Sequence, residues 1–165
     1  MPILSAENQF RQGLVALVDG DPNTAAERFH SAIQIERQRH ARRPQMRYLS
    51  YYGLSLALAH GPTQESILAC ETAARRDFFN PDLLLNLGKV YALAGLTTRA
   101  LSTFERGLAL APSSPSLRAE LGKLDRRQPL PIGWLARSNP ANRALGRMRS
   151  SVQEWMLSRR TASPS

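Results

Sequence analysis

Apolar residues recur at intervals of three and four in two adjoining stretches between residues 80 and 112. In the first stretch they are Leu84, Leu87 and Tyr91, and in the second, after a break at residues 95–98, they are Ala100, Leu101, Phe104 and Leu108. This spacing places apolar side chains on one face of an α-helix. The pattern therefore predicts two amphipathic helices joined by a short turn.

The ends of these two helices are also marked in the sequence. Asn80 followed by Pro81 suits an N-cap and a first helical residue. Thr97 suits the N-cap of the second helix, and Pro112 closes it. Because the link is short, the helices must pack antiparallel. The absence of a side chain at Gly88 would let their axes approach closely.

A glycine recurs along the chain in the same helical context. The four positions, which are 40, 35 and 34 residues apart, are Gly13, Gly53, Gly88 and Gly122. A period near 34 is typical of helix-pair repeats. The pattern predicts three pairs and a fourth that begins after Ser114 and is not completed. The surplus in the first interval falls in ERQRHARRP and is expected to prolong the second helix by about two turns, until Pro44 ends it.

The third pair resembles the tetratricopeptide repeat family. The family pattern is met at Leu84, Leu87, Gly88, Tyr91, Ala100, Phe104 and Pro112, with Gly107 where alanine is usual. With the two upstream pairs, the resemblance covers residues 6 to 112. It implies an all-α fold, in which antiparallel helix pairs stack in a right-handed superhelix. The first helices would line a concave groove that binds other proteins.

The organisation predicted from these patterns has seven segments. They are a first repeat with an extended second helix (1–45), a degenerate second repeat (46–80), a clear third repeat (81–114), a half-repeat (115–128), a connector containing Pro and Gly (129–139), a basic amphipathic helix (140–160) and a disordered tail (161–165). The prolines and glycine of the connector exclude a continuous helix there. The last helix is expected to cap the array.

The run Leu-Gly-Lys at residues 87–89, which recurs at 121–123, raises the possibility of a phosphate-binding loop. Such a loop also needs a glycine five residues earlier and Ser or Thr directly after the lysine. Around the two copies these positions hold Leu83 and Val90, and Leu117 and Leu124. The sequence therefore does not predict a nucleotide site.

In the geometry that the resemblance implies, some side chains of the first helices face the groove. The candidate groove residues are Phe10, Leu14, Arg47, Tyr51, Leu54, Leu85, Lys89 and Lys123. This set is apolar toward the N terminus and cationic toward the C terminus, which suits an extended peptide with acidic residues at one end. The alternative is that both lysines are simply solvated, as most surface lysines are. Leu14 and Tyr51 replace asparagines of relatives that grip a C-terminal carboxylate, so that ligand is not predicted.

The C-terminal part of the chain supplies much of its positive charge. The sequence has 22 basic and 13 acidic residues, a net charge of +9. Around the apolar stripe of the predicted helix 140–160 lie Arg143, Arg147, Arg149, Arg159 and Arg160. This helix is expected either to cap the open end of the array or to bind an anionic membrane or an acidic partner. Residues 126–149 also resemble the closing stretch of some bacterial tetratricopeptide proteins.

The sequence contains no evident catalytic or metal-binding constellation. The histidines His30, His40 and His60 are scattered, without partners at ligand spacing. The single cysteine, Cys70, takes the position that Phe104 holds in the third pair, and we interpret it as a small core residue. No apolar run approaches the ~18 to 20 residues of a membrane-spanning helix. The start lacks a secretory leader, so a cytoplasmic location is expected.

These observations predict a non-catalytic protein without a cofactor. We expect it to bind a peptide or helix of a partner protein in the groove, as an adaptor, assembly factor or chaperone. The alternative is a basic accessory protein that binds nucleic acid or an anionic membrane through its arginine-rich C-terminal helix.

Overall fold

The computed structural model describes residues 5–39 and 44–127. This part of the chain consists of seven α-helices and contains no β-strand. In chain order the helices are α1 (Ala6–Val18), α2 (Pro22–Gln38), α3 (Met46–His60), α4 (Gln64–Arg76), α5 (Pro81–Leu93), α6 (Thr97–Leu110) and α7 (Pro115–Arg127). We refer to α1–α2, α3–α4 and α5–α6 as the first, second and third pairs. The connector, the basic helix and the tail expected at residues 129–165 lie outside the described residues.

The helices form two layers. Each pair packs internally, and the second helix of each pair also packs on the first helix of the next. In addition, α3 contacts α5 and α5 contacts α7, whereas no comparable contact joins α2 to α4 or α4 to α6 within the described ranges. Successive helices lie closest together in the inner layer of a curved array. Helices α3, α5 and α7 therefore form the concave side. Helix α1 joins this side through Phe10, whose ring lies against Tyr48 and Tyr51 of α3.

Most of the helices have a polar N-cap residue, whose side chain accepts a hydrogen bond from a backbone N–H group of the first turn. Asn80 Oδ1 accepts from Asp82 N at 3.1 Å, as the sequence predicts, and Ser114 Oγ accepts from Leu117 N at 3.4 Å. The expectation for Thr97 is wrong. Thr97 is the first residue of α6, and the N-cap is Leu96, which provides no side-chain hydrogen bond.

The turn inside each pair contains a glycine with a left-handed backbone. Gly20, Gly61 and Gly95 have φ values of 79°, 82° and 72°. Side chains other than glycine rarely tolerate this region, so these residues reverse the chain at little energetic cost. The same device recurs three times, which supports the predicted repeat.

The recurring glycines of the first and third pairs lie where two helices cross. A Cβ added to Gly13 would stand 2.6 Å from Cε1 of Phe29, and one added to Gly88 would stand 2.6 Å from Cδ1 of Phe104. Each aromatic ring thus occupies the space that the glycine leaves empty. The role of Gly88 as a helix-crossing residue, predicted from its spacing, is confirmed.

The core divides into two clusters. The first surrounds Phe10, Phe29 and Tyr48, and the second extends from α3 to α7 and includes Leu54 and Phe104. The clusters adjoin at α3, because Tyr48 belongs to one and Leu54 to the other.

Helix α2 is the longest of the seven, with 17 residues, and its described part ends at Gln38. Residues 40–43, over which the sequence predicts an extension as far as Pro44, lie outside the described residues. The next helix begins at Met46, after a residue that makes no side-chain cap. Instead, both carboxylate oxygens of Glu36 accept hydrogen bonds from Gln45 N, at 3.1 and 3.0 Å. The end of α2 therefore caps the start of α3 across the link.

Candidate functional site

The concave side is the candidate site, and the sequence-predicted groove residues differ in how they contribute to it. Phe10 and Leu54 are only 5% and 4% exposed, so they belong to the core beneath the surface. Leu14, Tyr51 and Leu85 are half-buried and pack on that core. Those three side chains offer apolar surface, whereas the two buried ones do not.

An aromatic cluster underlies the N-terminal part of the concave side. The ring of Phe10 lies 5.4 Å from that of Phe29, 5.1 Å from Tyr48 and 5.4 Å from Tyr51, measured between centroids. Such tilted and edge-on contacts add to the stability from burial. The cluster ties α1 and α2 to α3 and gives the surface around Tyr51 a rigid base.

Arg47 is already engaged at this end. Its guanidinium donates to the carboxylate of Glu7 and lies 4.8 Å from the centroid of the Phe10 ring. The hydroxyl of Tyr48 donates to the same carboxylate at 3.1 Å. Burial raises the pKa of Tyr48, and the hydrogen bond to Glu7 adds a smaller increase. Arg47 therefore links α3 to α1, and its charge is largely balanced within the chain.

A buried polar contact joins the second and third pairs below the middle of the site. Asn86 Nδ2 donates to Ser50 Oγ at 3.2 Å, and both side chains are buried. Burial and the nearby charge of Asp82 raise the pKa of Tyr51. A hydrogen bond with Asn86 acts in the opposite direction and lowers this pKa. Sequence reasoning missed Asn86, although a lone amide in the apolar run LLLNLG was a visible signal.

The two lysines of the repeat have different surroundings. Lys89 on α5 is half-buried, and no carboxylate among the described residues pairs with it. Lys123 on α7 has a side chain that is 53% exposed, and its Nζ lies 2.8 Å from Oε1 of Glu120. Although they share one repeat position, only Lys89 offers an unbalanced charge beside apolar surface.

A second polar network holds the outer layer against α5. The hydroxyl of Tyr91 donates to Oε1 of Glu71 at 2.6 Å, and Arg99 lies 4.0 Å from the same oxygen. Burial and the hydrogen bond to Glu71 raise the pKa of Tyr91 to about 12. This network connects α4, α5 and α6 and has a structural role.

Cys70 lies in the core, as the sequence predicts. It is fully buried, and its Sγ donates to the backbone oxygen of Ser50 at 3.2 Å. Burial, with a smaller contribution from the charge of Glu71, raises the pKa of its thiol to about 12. A thiol in this state is a poor nucleophile at neutral pH, because the thiolate is the reactive form.

Within the described ranges, no group of three or more His, Cys, Asp or Glu side chains is arranged to hold a metal ion. No helix in that part of the chain combines the length and the apolar character needed to cross a membrane. The candidate basic surface, formed by the five arginines between residues 143 and 160, falls outside the described residues and stays a prediction.

The family comparison matches residues 81–124, which cover α5, α6 and most of α7, to the model of a tetratricopeptide repeat. No curated protein matches the chain significantly.

Solved structures show the same fold. The tetratricopeptide domain of Arabidopsis OM64 superimposes with a TM-score of 0.60 at 17% identity, covering 74% of this chain and 95% of that one. The MamA protein gives a TM-score of 0.58 at 14% identity, covering 97% of this chain and 78% of that one. The predicted all-α array of tetratricopeptide helix pairs is thus confirmed.

Proposed function

We propose that this chain is a protein–protein interaction module that binds an extended segment of a partner protein on its concave side. The fold supports this proposal, because arrays of helix pairs present a long curved surface that suits a peptide or a helix. The role proposed is non-catalytic, as an adaptor, assembly factor or chaperone-like protein.

The observation that carries the proposal is the position of Lys89. Lys89 is half-buried and has no carboxylate partner among the described residues, so its positive charge is not balanced within that part of the chain. A carboxylate of a bound segment would restore that balance. The half-buried Leu85, on the same helix, adds apolar surface beside it.

The charge distribution gives the bound segment a direction. Arg47 is occupied by Glu7, so the surface near α1 and α3 offers mainly Leu14 and Tyr51 to a partner. The acidic residues of the segment are therefore placed over α5, and its apolar residues over α3 and α1. This order keeps the one predicted from the sequence, but of the two predicted lysines it relies on Lys89 and not on Lys123.

The test is affinity capture from the native cell followed by binding measurements. The immobilised chain is compared with Lys89→Glu and, as a matched control, Lys123→Glu. For the captured partner we expect Lys89→Glu to weaken binding about five- to tenfold, and Lys123→Glu by less than about twofold. Equal effects of the two variants, with helicity unchanged, would contradict the proposal.

A second candidate function rests on the net charge of +9. A chain ending at residue 137 tests it, because long-range attraction to nucleic acid or an anionic membrane depends on the basic residues that follow. If retention on heparin and on anionic vesicles is the same with and without residues 138–165, this alternative is wrong.

A further inference from the structure

One edge of the array carries a cavity that the concave site does not use. The links from each pair to the next helix lie at this edge, opposite the turns that contain Gly20, Gly61 and Gly95. A cavity of about 270 Å³ opens there between the end of α2, the start of α3 and the end of α4. It is separate from the surface around Lys89, none of whose residues line it.

The cavity combines apolar and cationic walls. Its apolar part is formed by Ile33, Pro44, Met46 and Leu49. Arg37 and Arg76, the last or nearly last residues of α2 and α4, are exposed at its rim. Within the described residues neither guanidinium has a carboxylate partner.

The single acid in the lining is already engaged. Glu36 accepts two hydrogen bonds from Gln45 N and stands at the start of α3, where the helix dipole favours a negative charge. Its carboxylate therefore stabilises the link and leaves both guanidinium groups as free donors. An anion with an apolar body would complement these walls.

Exposed aromatic rings continue the same edge. Phe78 and Phe79 follow directly after α4, in the turn that leads to α5, and are 54% and 71% exposed. Their ring centroids lie 4.2 Å apart. Arg76 lines the cavity and ends α4, and Phe78 follows it by two residues, so the aromatic pair lies on the same edge of the array as the cavity.

From these features we infer that the edge formed by the cavity and the Phe78–Phe79 turn is a second docking surface, which takes an acidic segment of a partner protein carrying large apolar side chains. One apolar side chain enters the cavity, and a neighbouring Asp or Glu accepts from Arg37 and Arg76. Further apolar residues of the segment pack on the aromatic pair. The cavity volume, about 270 Å³, is slightly below the ~300 to 1,000 Å³ of small-molecule sites. A cavity of this size suits a single side chain of a longer segment.

The experiment uses an acetylated and amidated peptide in which leucine and phenylalanine alternate with aspartate and glutamate. It is titrated into the full chain while backbone amide NMR signals are recorded. We expect the largest shifts near Ile33, Leu49 and Phe79. Shifts confined to α5 around Lys89, or no binding up to millimolar peptide, would overturn the inference.

Matched variants separate this surface from the concave one. Arg76→Glu should weaken peptide binding about three- to fivefold, whereas Arg106→Glu, the same change at an exposed position of α6, should leave it within about twofold. Phe79→Ala should also weaken binding, and Lys89→Glu should not. Equal effects of Arg76→Glu and Arg106→Glu would refute a specific site. An effect of Lys89→Glu alone would assign the peptide to the concave side.

Discussion

The second helix pair differs from its two neighbours in how its helices cross. In the first and third pairs a buried phenylalanine ring, Phe29 or Phe104, fills the space over the recurring glycine. In the second pair, a Cβ added to Gly53 would stand 2.7 Å from the backbone oxygen of Ser66 and 2.8 Å from Sγ of Cys70. There, α3 and α4 approach until backbone faces backbone.

This difference shows that one repeat geometry can be packed in two ways. A ring acts as a spacer in two pairs, whereas small side chains and close contact replace it in the second. The close approach also brings the Cys70 thiol to the backbone oxygen of Ser50. A glycine is needed in both arrangements, but for different neighbours: an aromatic side chain in one and a carbonyl group in the other.

The largest expected effect comes from exchanging the spacers. Phe104→Cys should lower the free energy of unfolding by about 3 kcal/mol, because it removes a fully buried ring and leaves a cavity in the larger core cluster. The reverse change, Cys70→Phe, should lower it by about 1 to 3 kcal/mol, because α3 and α4 leave no room for a ring. Urea unfolding followed by circular dichroism measures both.

The stability of Cys70→Phe shows whether the close approach of α3 and α4 excludes a ring or merely follows from the small residue at position 70. If Cys70→Phe raises the stability, the close approach is a mere consequence of the small residue, and the pair can open to the geometry of its neighbours.

The next largest expected effect is a loss of stability at alkaline pH, caused by Cys70 in the second pair. The folded-state pKa of Cys70, about 12, lies above the ordinary value, so the unfolded chain loses this proton first. The corresponding stability is complete below the unfolded pKa and is lost as the pH rises toward the folded one. Between about pH 8 and pH 10 the unfolding free energy should fall about 1 to 2 kcal/mol more in the natural chain than in Cys70→Ala. Tyr91, whose pKa is also raised, contributes equally to both. Parallel losses would show that the thiol is accessible to water in the folded state.

The smallest expected effect compares two glycines in the same repeat position. Gly53→Ala should cost about 1 kcal/mol, because the clash with the Ser66 carbonyl exceeds the gain in helix propensity. Gly122→Ala should instead stabilise the chain by up to about 1 kcal/mol, since nothing lies within 4 Å of an added Cβ there. Thermal unfolding of the two variants measures the difference in sign, and destabilisation by both would contradict this account.

The repeat itself could be predicted because its signals are local. Apolar spacing, the cap at Asn80 and the pairing of Gly88 with Phe104 all depend on residues within one helix pair. Even there, Thr97 shows a limit: its hydroxyl is directed back to the oxygen of Gly95, at 3.4 Å, and the cap position falls one residue earlier.

The site was harder to predict because its residues depend on contacts between pairs. Asn86 can form its hydrogen bond with Ser50, 36 residues earlier in the chain, only when α3 and α5 pack in the correct register. The sequence cannot show that Phe10 and Leu54 are covered, since their burial depends on neighbouring helices. The pairing of Lys123 with Glu120 is the exception, because residues three apart on a helix are neighbours and that contact was visible in the sequence.

The division of the core at α3 has a consequence for the motions of the chain. The first cluster depends on α1, α2 and the start of α3, whereas the second extends through α7. In an array whose stability is a sum of neighbouring terms, the smaller cluster opens at a lower free energy. We therefore expect the amide hydrogens of α1 and α2 to exchange with solvent sooner than those of α5 and α6, with the first helix pair unfolding as one cooperative unit while the rest of the array stays folded.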